Sequence, residues 1–121
     1  MIAVHVTGPA VGTSTNACFL RLTSHIVGGG SETYCLQTFH GRPGPNAVVR
    51  SRGIVTFRLA HRTLRAKVLV VQRFAADGRH AHQTLSGTLG GGGTVSGGGS
   101  DLESPPGHVV ASDLRYRISV K

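Results

Sequence analysis

The stretch TLRAKVLVVQRFAADGRHAHQTLSGT, residues 63–88, decides the fold. Leu64, Ala66, Val68 and Val70 share one parity while Arg65, Lys67 and Arg73 share the other, so residues 63–74 alternate with the period of a half-buried strand. A helical reading through Leu64, Val68, Val71 and Ala75 competes, but the β-branched valines favour the strand. Asp77-Gly78 is a hairpin turn signal, which places a return strand over roughly 80–88.

Working outward, the same alternation recurs. Over 18–26, Cys18, Leu20, Leu22, Ser24 and Ile26 oppose Phe19, Arg21, Thr23 and His25, until Gly28-Gly29-Gly30-Ser31 ends the run. Over 32–40, Tyr34, Leu36 and Thr38 oppose Cys35, Gln37 and Phe39, and a turn-rich segment follows at 41–46. Residues 47–59 are strand-like, with Gly53 marking a bulge or a sharp bend. Thr94-Val95-Ser96 reads as a short strand between the glycine clusters at 90–93 and 97–99, and Ser104-Pro105-Pro106-Gly107 as a loop. In the last segment, Val110, Leu114, Tyr116, Ile118 and Val120 alternate with Arg115, Arg117 and Lys121. With residues 3–6 at the start, this makes about eight strands and no convincing helix.

Short strands at regular spacing, joined by Gly/Pro turns, predict a sandwich or a barrel, and closure is favoured because it removes exposed edges. The expectation is one all-β domain over 1–121, an antiparallel closed barrel. At eight strands its interior is either filled by side chains or holds one small ligand.

Composition narrows the function. The 121 residues amount to one folding unit, and 18 Gly with 5 Pro exclude a helical bundle or coiled coil. The low aromatic content and the absence of Trp leave little stacking surface for single-stranded nucleic acid. No apolar run approaches the roughly 20 residues of a spanning helix. Thirteen Lys+Arg against five Asp+Glu give a net charge of +8, which attracts phosphates, sulfates, anionic glycans and anionic lipids. Arg65, Lys67 and Arg73 are the candidate face for such a partner; a solvated wall that resists aggregation is the plainer reading.

Cys18 and Cys35 match no four-ligand zinc spacing and are compatible with one disulfide, worth roughly 3 kcal/mol for a loop of this length. A tight hairpin centred on Gly29 sets Cys35 opposite Thr23, so the bridge needs an asymmetric loop or a non-adjacent pairing. A bridge implies an oxidising compartment and a secreted protein. Met1-Ile2-Ala3-Val4-His5 lacks a basic region followed by an apolar stretch, so the expectation divides between a mature chain that has lost a leader and a cytoplasmic chain with reduced thiols.

The inward parity collects Leu20, Leu22, Leu36, Val68, Val70, Leu114, Tyr116 and Ile118 as a lining for an apolar small molecule. Glu32, Tyr34 and Tyr116 are the candidate catalytic groups, as polar residues that can line a barrel mouth. Asp77 reads as a turn residue, and Asp101 and Glu103 as loop residues. His80 and His82 share a strand face, yet no spacing singles out the third ligand a catalytic zinc wants, so no metal is expected. No Gly-x-Ser-x-Gly elbow occurs, and no phosphate loop follows Gly90 or Gly97.

Residues 71–78, 80–88 and Gly97-Gly98-Gly99-Ser100, in that order with a glycine-rich turn between, resemble small secreted barrel proteins of the allene oxide cyclase-like class, relatives of the dirigent proteins. The resemblance covers about 17–121 in segment order. It implies an eight-stranded barrel with an internal cavity, and either a carrier or an enzyme that steers isomerisation or cyclisation without a cofactor. The chain departs from that class at Gly90-Gly91-Gly92-Gly93-Thr94-Val95, where a Gly-Gly-Thr-Gly-x-Tyr turn is expected, as though about ten residues were missing and one wall shortened. A ligand-binding barrel predicts an internal pocket above roughly 300 Å³ with a few convergent polar groups. A binder of anions predicts a solid barrel with salt-sensitive binding, and a homo-oligomeric module an apolar patch on the outer wall.

Overall fold

Alternation along every strand becomes a single inner and a single outer surface only if the sheet closes on itself, and it does. A computed structural model describes residues 1–105 and 108–121. Its strands are β1 (Ile2–Thr13), β2 (Leu20–Ile26), β3 (Ser31–His40), β4 (Val48–Arg58), β5 (Thr63–Phe74), β6 (His80–Leu89), β7 (Gly93–Glu103) and β8 (Val109–Val120). Each pairs antiparallel with the next, and β1 pairs with β8 to complete the barrel. The hairpin read at 63–88 forms as β5 and β6, from Phe74 opposite Ala81 to Ala66 opposite Leu89. Of the loop expected at 104–107, Pro106 and Gly107 lie outside the described residues.

Several local expectations are corrected. The β2–β3 register sets Cys35 opposite Arg21, not Thr23. Cys18 does not continue the inner face of β2. The ladder ends where the Phe19 N–H donates to the Leu36 carbonyl, and the chain then folds over the outer wall, with the Cys18 N–H on Thr15 Oγ1. That asymmetric connection brings Cys18 to Cys35, and the disulfide forms at a Cα separation of 5.3 Å.

The bulge signalled by Gly53 lies on the facing strand. Leu36 pairs with Gly53 and Thr38 with Arg52, so Gln37 is the extra residue. Beyond it the parity reverses, and Phe39 comes opposite the inward Ser51. Gly53 is required there, because a Cβ would sit 2.0 Å from the Cys35 carbonyl oxygen and 2.9 Å from Cε1 of Tyr34. The wall expected to be short is not: β7 is one strand of 11 residues through Gly97, Gly98 and Gly99.

The interior is divided along the axis. Near the β2–β3, β4–β5 and β6–β7 connections, Val6, Val55, Phe57, Val95 and Ile118 are sealed from solvent. Phe57 meets Tyr116 edge-on at 5.8 Å, an arrangement worth about 1 kcal/mol beyond its buried area. A smaller cluster of Val49, Phe74 and Ala81 lies across β4, β5 and β6 near the opposite end.

Two stability measurements follow. Gly53→Ala is expected to lower unfolding free energy by roughly 3 kcal/mol through overpacking, whereas Gly44→Ala, whose Cβ meets nothing within 4 Å, stays within about 0.5 kcal/mol. Replacing Cys18 and Cys35 together by Ser is expected to cost roughly 3 kcal/mol in urea denaturation.

Candidate functional site

Between the packed end and the β4–β6 cluster the inner face turns polar. β3 contributes Glu32 and Tyr34, β4 Ser51, β5 Gln72, β6 Gln83, β7 Asp101 and Glu103, and β8 Tyr116. Glu32, Asp101 and Glu103 are 6%, 4% and 3% exposed, so three of the protein's five acidic residues are buried inside the barrel. A carboxylate out of water costs free energy unless it is hydrogen-bonded or protonated.

Hydrogen bonding meets part of that cost. Gln83 Nε2 donates to the Tyr116 hydroxyl at 3.0 Å, and that hydroxyl is bonded to Glu32. Gln72 Nε2 donates to Glu103 Oε2 at 2.9 Å and to Asp101 Oδ2 at 3.3 Å. Tyr34 and Ser51 share a hydroxyl–hydroxyl bond of 2.8 Å. Tyr116 fits because its partner on β7 is Gly97, with φ of 150°. A Cβ there would lie 2.8 Å from the Tyr116 Cα.

The remaining cost appears in the acidities. Burial, with the Asp101 charge adding to it, pushes the Glu32 carboxyl up to about 7 against the pull of the Tyr116 hydrogen bond. Burial likewise pushes Asp101 up to about 7, the Gln72 bond opposing and the Glu103 charge reinforcing. Tyr34 rises to about 12, chiefly through burial. Tyr116 stands well above an ordinary phenol because it is buried and faces Glu32 and Asp101. At neutral pH, Glu32 and Asp101 are therefore each divided between proton donor and proton acceptor.

These groups surround a cavity of about 70 Å³. Glu32, Tyr34 and Tyr116, the three candidates read from the sequence, all line it, but deep in the barrel and not at a mouth. Of the expected apolar lining, Leu22, Leu36, Val70, Leu114 and Tyr116 are present. Val68 and Ile118 belong to the packed core, and Leu20 is half-buried outside the cavity. The volume is well below the expected 300 Å³. It has room for about five waters or one compact chemical group.

Sequence reading missed Asp101, Glu103, Gln72, Gln83 and Ser51. Asp101 and Glu103, assigned to a loop, lie on β7 with Val95, Gly97 and Gly99 at the same inward parity. Parity counted through the glycines from Val95 would have found them.

His80 and His82 project outward, and His80 is bonded to Asp77, a contact that holds that carboxyl well below the usual carboxylate range. Among the described residues no three His, Cys, Asp or Glu side chains are grouped to hold a metal ion, and no helix is long and apolar enough to cross a membrane. The large exposed apolar side chains lie near the strand ends; one pair, Phe19 and Phe39, meets with tilted rings 4.8 Å apart beside the β1–β2 and β3–β4 connections. Compared with known families, curated proteins and solved structures, the chain shows no match.

The raised pKa values of Glu32 and Asp101 fix the sign of a pH effect. Between about 4.5 and 7 the folded chain binds more protons than the unfolded one, so stability present at low pH is lost as pH rises through that window. The Glu32 shift, to which burial and the Asp101 charge both contribute, corresponds to about 3 kcal/mol of this loss. Urea denaturation at pH 5 and pH 8 is expected to show wild type weaker at pH 8, and Glu32→Gln recovering most of that amount.

Proposed function

We propose that the barrel interior binds a small uncharged molecule with a hydrogen-bonding head and an apolar body, and isomerises or cyclises it by proton transfer without a cofactor. The observation that carries this reading is the buried pair Glu32 and Asp101, which line one cavity with the Tyr116 hydroxyl and whose carboxyls burial pushes up to about 7. One carboxylate removes a proton from the ligand while the protonated partner returns one to a second atom. The proton count of ligand and protein is unchanged. Once Glu32 has taken the ligand's proton it no longer needs the Tyr116 hydroxyl as a donor, and that hydroxyl turns to charge that develops on a ligand oxygen, the kind of preorganised stabilisation that lowers barriers most.

Three buried carboxyls disfavour an anionic ligand. The ligand is compact, because Leu22, Leu36, Val109 and Leu114 line the same cavity of about 70 Å³ as the polar groups and supply its apolar contacts. The resemblance of residues 71–78, 80–88 and 97–100 to allene oxide cyclase-like barrels is in keeping with the same class of activity, and a carrier of that ligand uses the same contacts. The disulfide supports placement in an oxidising, extracellular compartment.

The test uses neutral cyclic enones such as 2-cyclohexenone in deuterated buffer. Methyl resonances of Leu22, Leu36 and Leu114 are expected to shift, and Val109→Phe to suppress the shifts. Deuterium incorporation beside the carbonyl is expected to fall at least 100-fold in Glu32→Gln. Unchanged methyl spectra across the enone series overturn the binding claim; exchange equal in wild type and Glu32→Gln overturns the chemistry.

A further inference from the structure

With three of the five acids inside, the outer surface is more basic than the net charge suggests. All 13 Lys and Arg side chains are exposed, whereas the two outward carboxylates, Asp77 and Asp113, are each engaged by a histidine. His5 Nε2 lies 2.5 Å from Asp113 Oδ1. Thirteen outer cations therefore face solvent with almost no opposing charge.

They are not evenly spread. Beside the disulfide, the outer wall of β2 to β5 forms a recess of about 750 Å³. Its floor includes a row fixed by the ladder, in which Thr23 pairs with Thr33, Thr33 with Thr56, and Thr56 with Arg65. Three strand spacings of roughly 4.8 Å make this row about 14 Å long. Arg58 lies two residues beyond Thr56 on β4, and Arg21 two residues before Thr23 on β2, so guanidinium groups stand on three sides of a hydroxyl floor. The recess is therefore built from Arg21, Arg58 and Arg65, and not from the single-strand face Arg65, Lys67 and Arg73 expected from the sequence. Lys67 faces a neighbouring hollow with Arg52, and Arg73 pairs with His82.

We propose that this recess binds a sulfated polysaccharide, independently of the interior cavity. Guanidinium forks match the paired oxygens of sulfate and carboxylate, and the threonine hydroxyls suit the uncharged ring hydroxyls between them. No aromatic side chain lines the recess, so unpaired bases have nothing to stack on. A duplex is read by an element that protrudes into its groove, whereas these cations surround a hollow, which suits a slender chain. The Cys18–Cys35 bridge at its edge belongs to an oxidising setting, where polysaccharides are the common polyanions.

The test is calorimetric titration with a heparin octasaccharide at 150 and 500 mM salt. Binding is expected at the lower salt and at least tenfold weaker in Arg21→Gln/Arg58→Gln/Arg65→Gln. The variant Arg115→Gln/Arg117→Gln/Lys121→Gln, with equal charge loss on β8 and the residue that follows it, is expected to change affinity less than threefold. Thermal unfolding of both variants verifies that they fold. Absence of heparin binding, or equal loss in the two variants, overturns the recess as a site. A 16-base-pair DNA duplex that binds as tightly as heparin, with the same dependence on Arg21, Arg58 and Arg65, overturns the polysaccharide assignment.

Discussion

The pairing of β1 with β8 is the contact on which the rest depends. Ile2 meets Ile118, Val4 meets Tyr116 and Val6 meets Leu114, so the seam is sealed by apolar pairs on its inner side. Once it closes, parity alone assigns each strand residue to the interior or to solvent. A one-residue slip in any strand would exchange the two sets, placing arginines in the core. With no free edge, an acid of inward parity can reach water only through the barrel ends. Glu32, Asp101 and Glu103 are confined by that geometry.

Confinement produces a sharp division of charge. Acids inside and cations outside make the interior a poor solvent for anions and the wall a good one. Burying carboxyls lowers stability at neutral pH, and the core near Phe57 and Ile118 offsets this with tightly sealed apolar contacts. Such a trade is characteristic of sites, where polar groups are kept in place at the expense of folding energy. The glutamines Gln72 and Gln83, which face each other across β5 and β6, hold the acids and Tyr116 in position without adding charge.

Much of this was legible in the sequence, and the failures share a physical cause. Segments 63–74 and 80–89 announce themselves because valine and leucine alternate with arginine and threonine, and the two cysteines suggest their bridge. β7 was hidden, since Gly97, Gly98 and Gly99 carry no side chain to alternate. The eye stops at a turn where the ladder continues, and Asp101 and Glu103 fall into an imagined loop. Register is a second blind spot. Alternation says which residues share a face, but the β2–β3 pairing and the extra residue at Gln37 depend on turn geometry and on the room Gly53 leaves for Tyr34. Cavity volume is a third, because it reflects how far Tyr34, Tyr116 and the glutamines fill the axis.

The central claim is that a closed barrel holds two carboxyl groups away from water in a shared cavity. Carbon-13 NMR of the side-chain carboxyl carbons, followed from pH 3 to pH 9 in the folded protein, tests it directly. Resonances of Glu32 and Asp101 that move near pH 7 are the predicted result. Titration of both near pH 4, as in an unfolded chain, would contradict it.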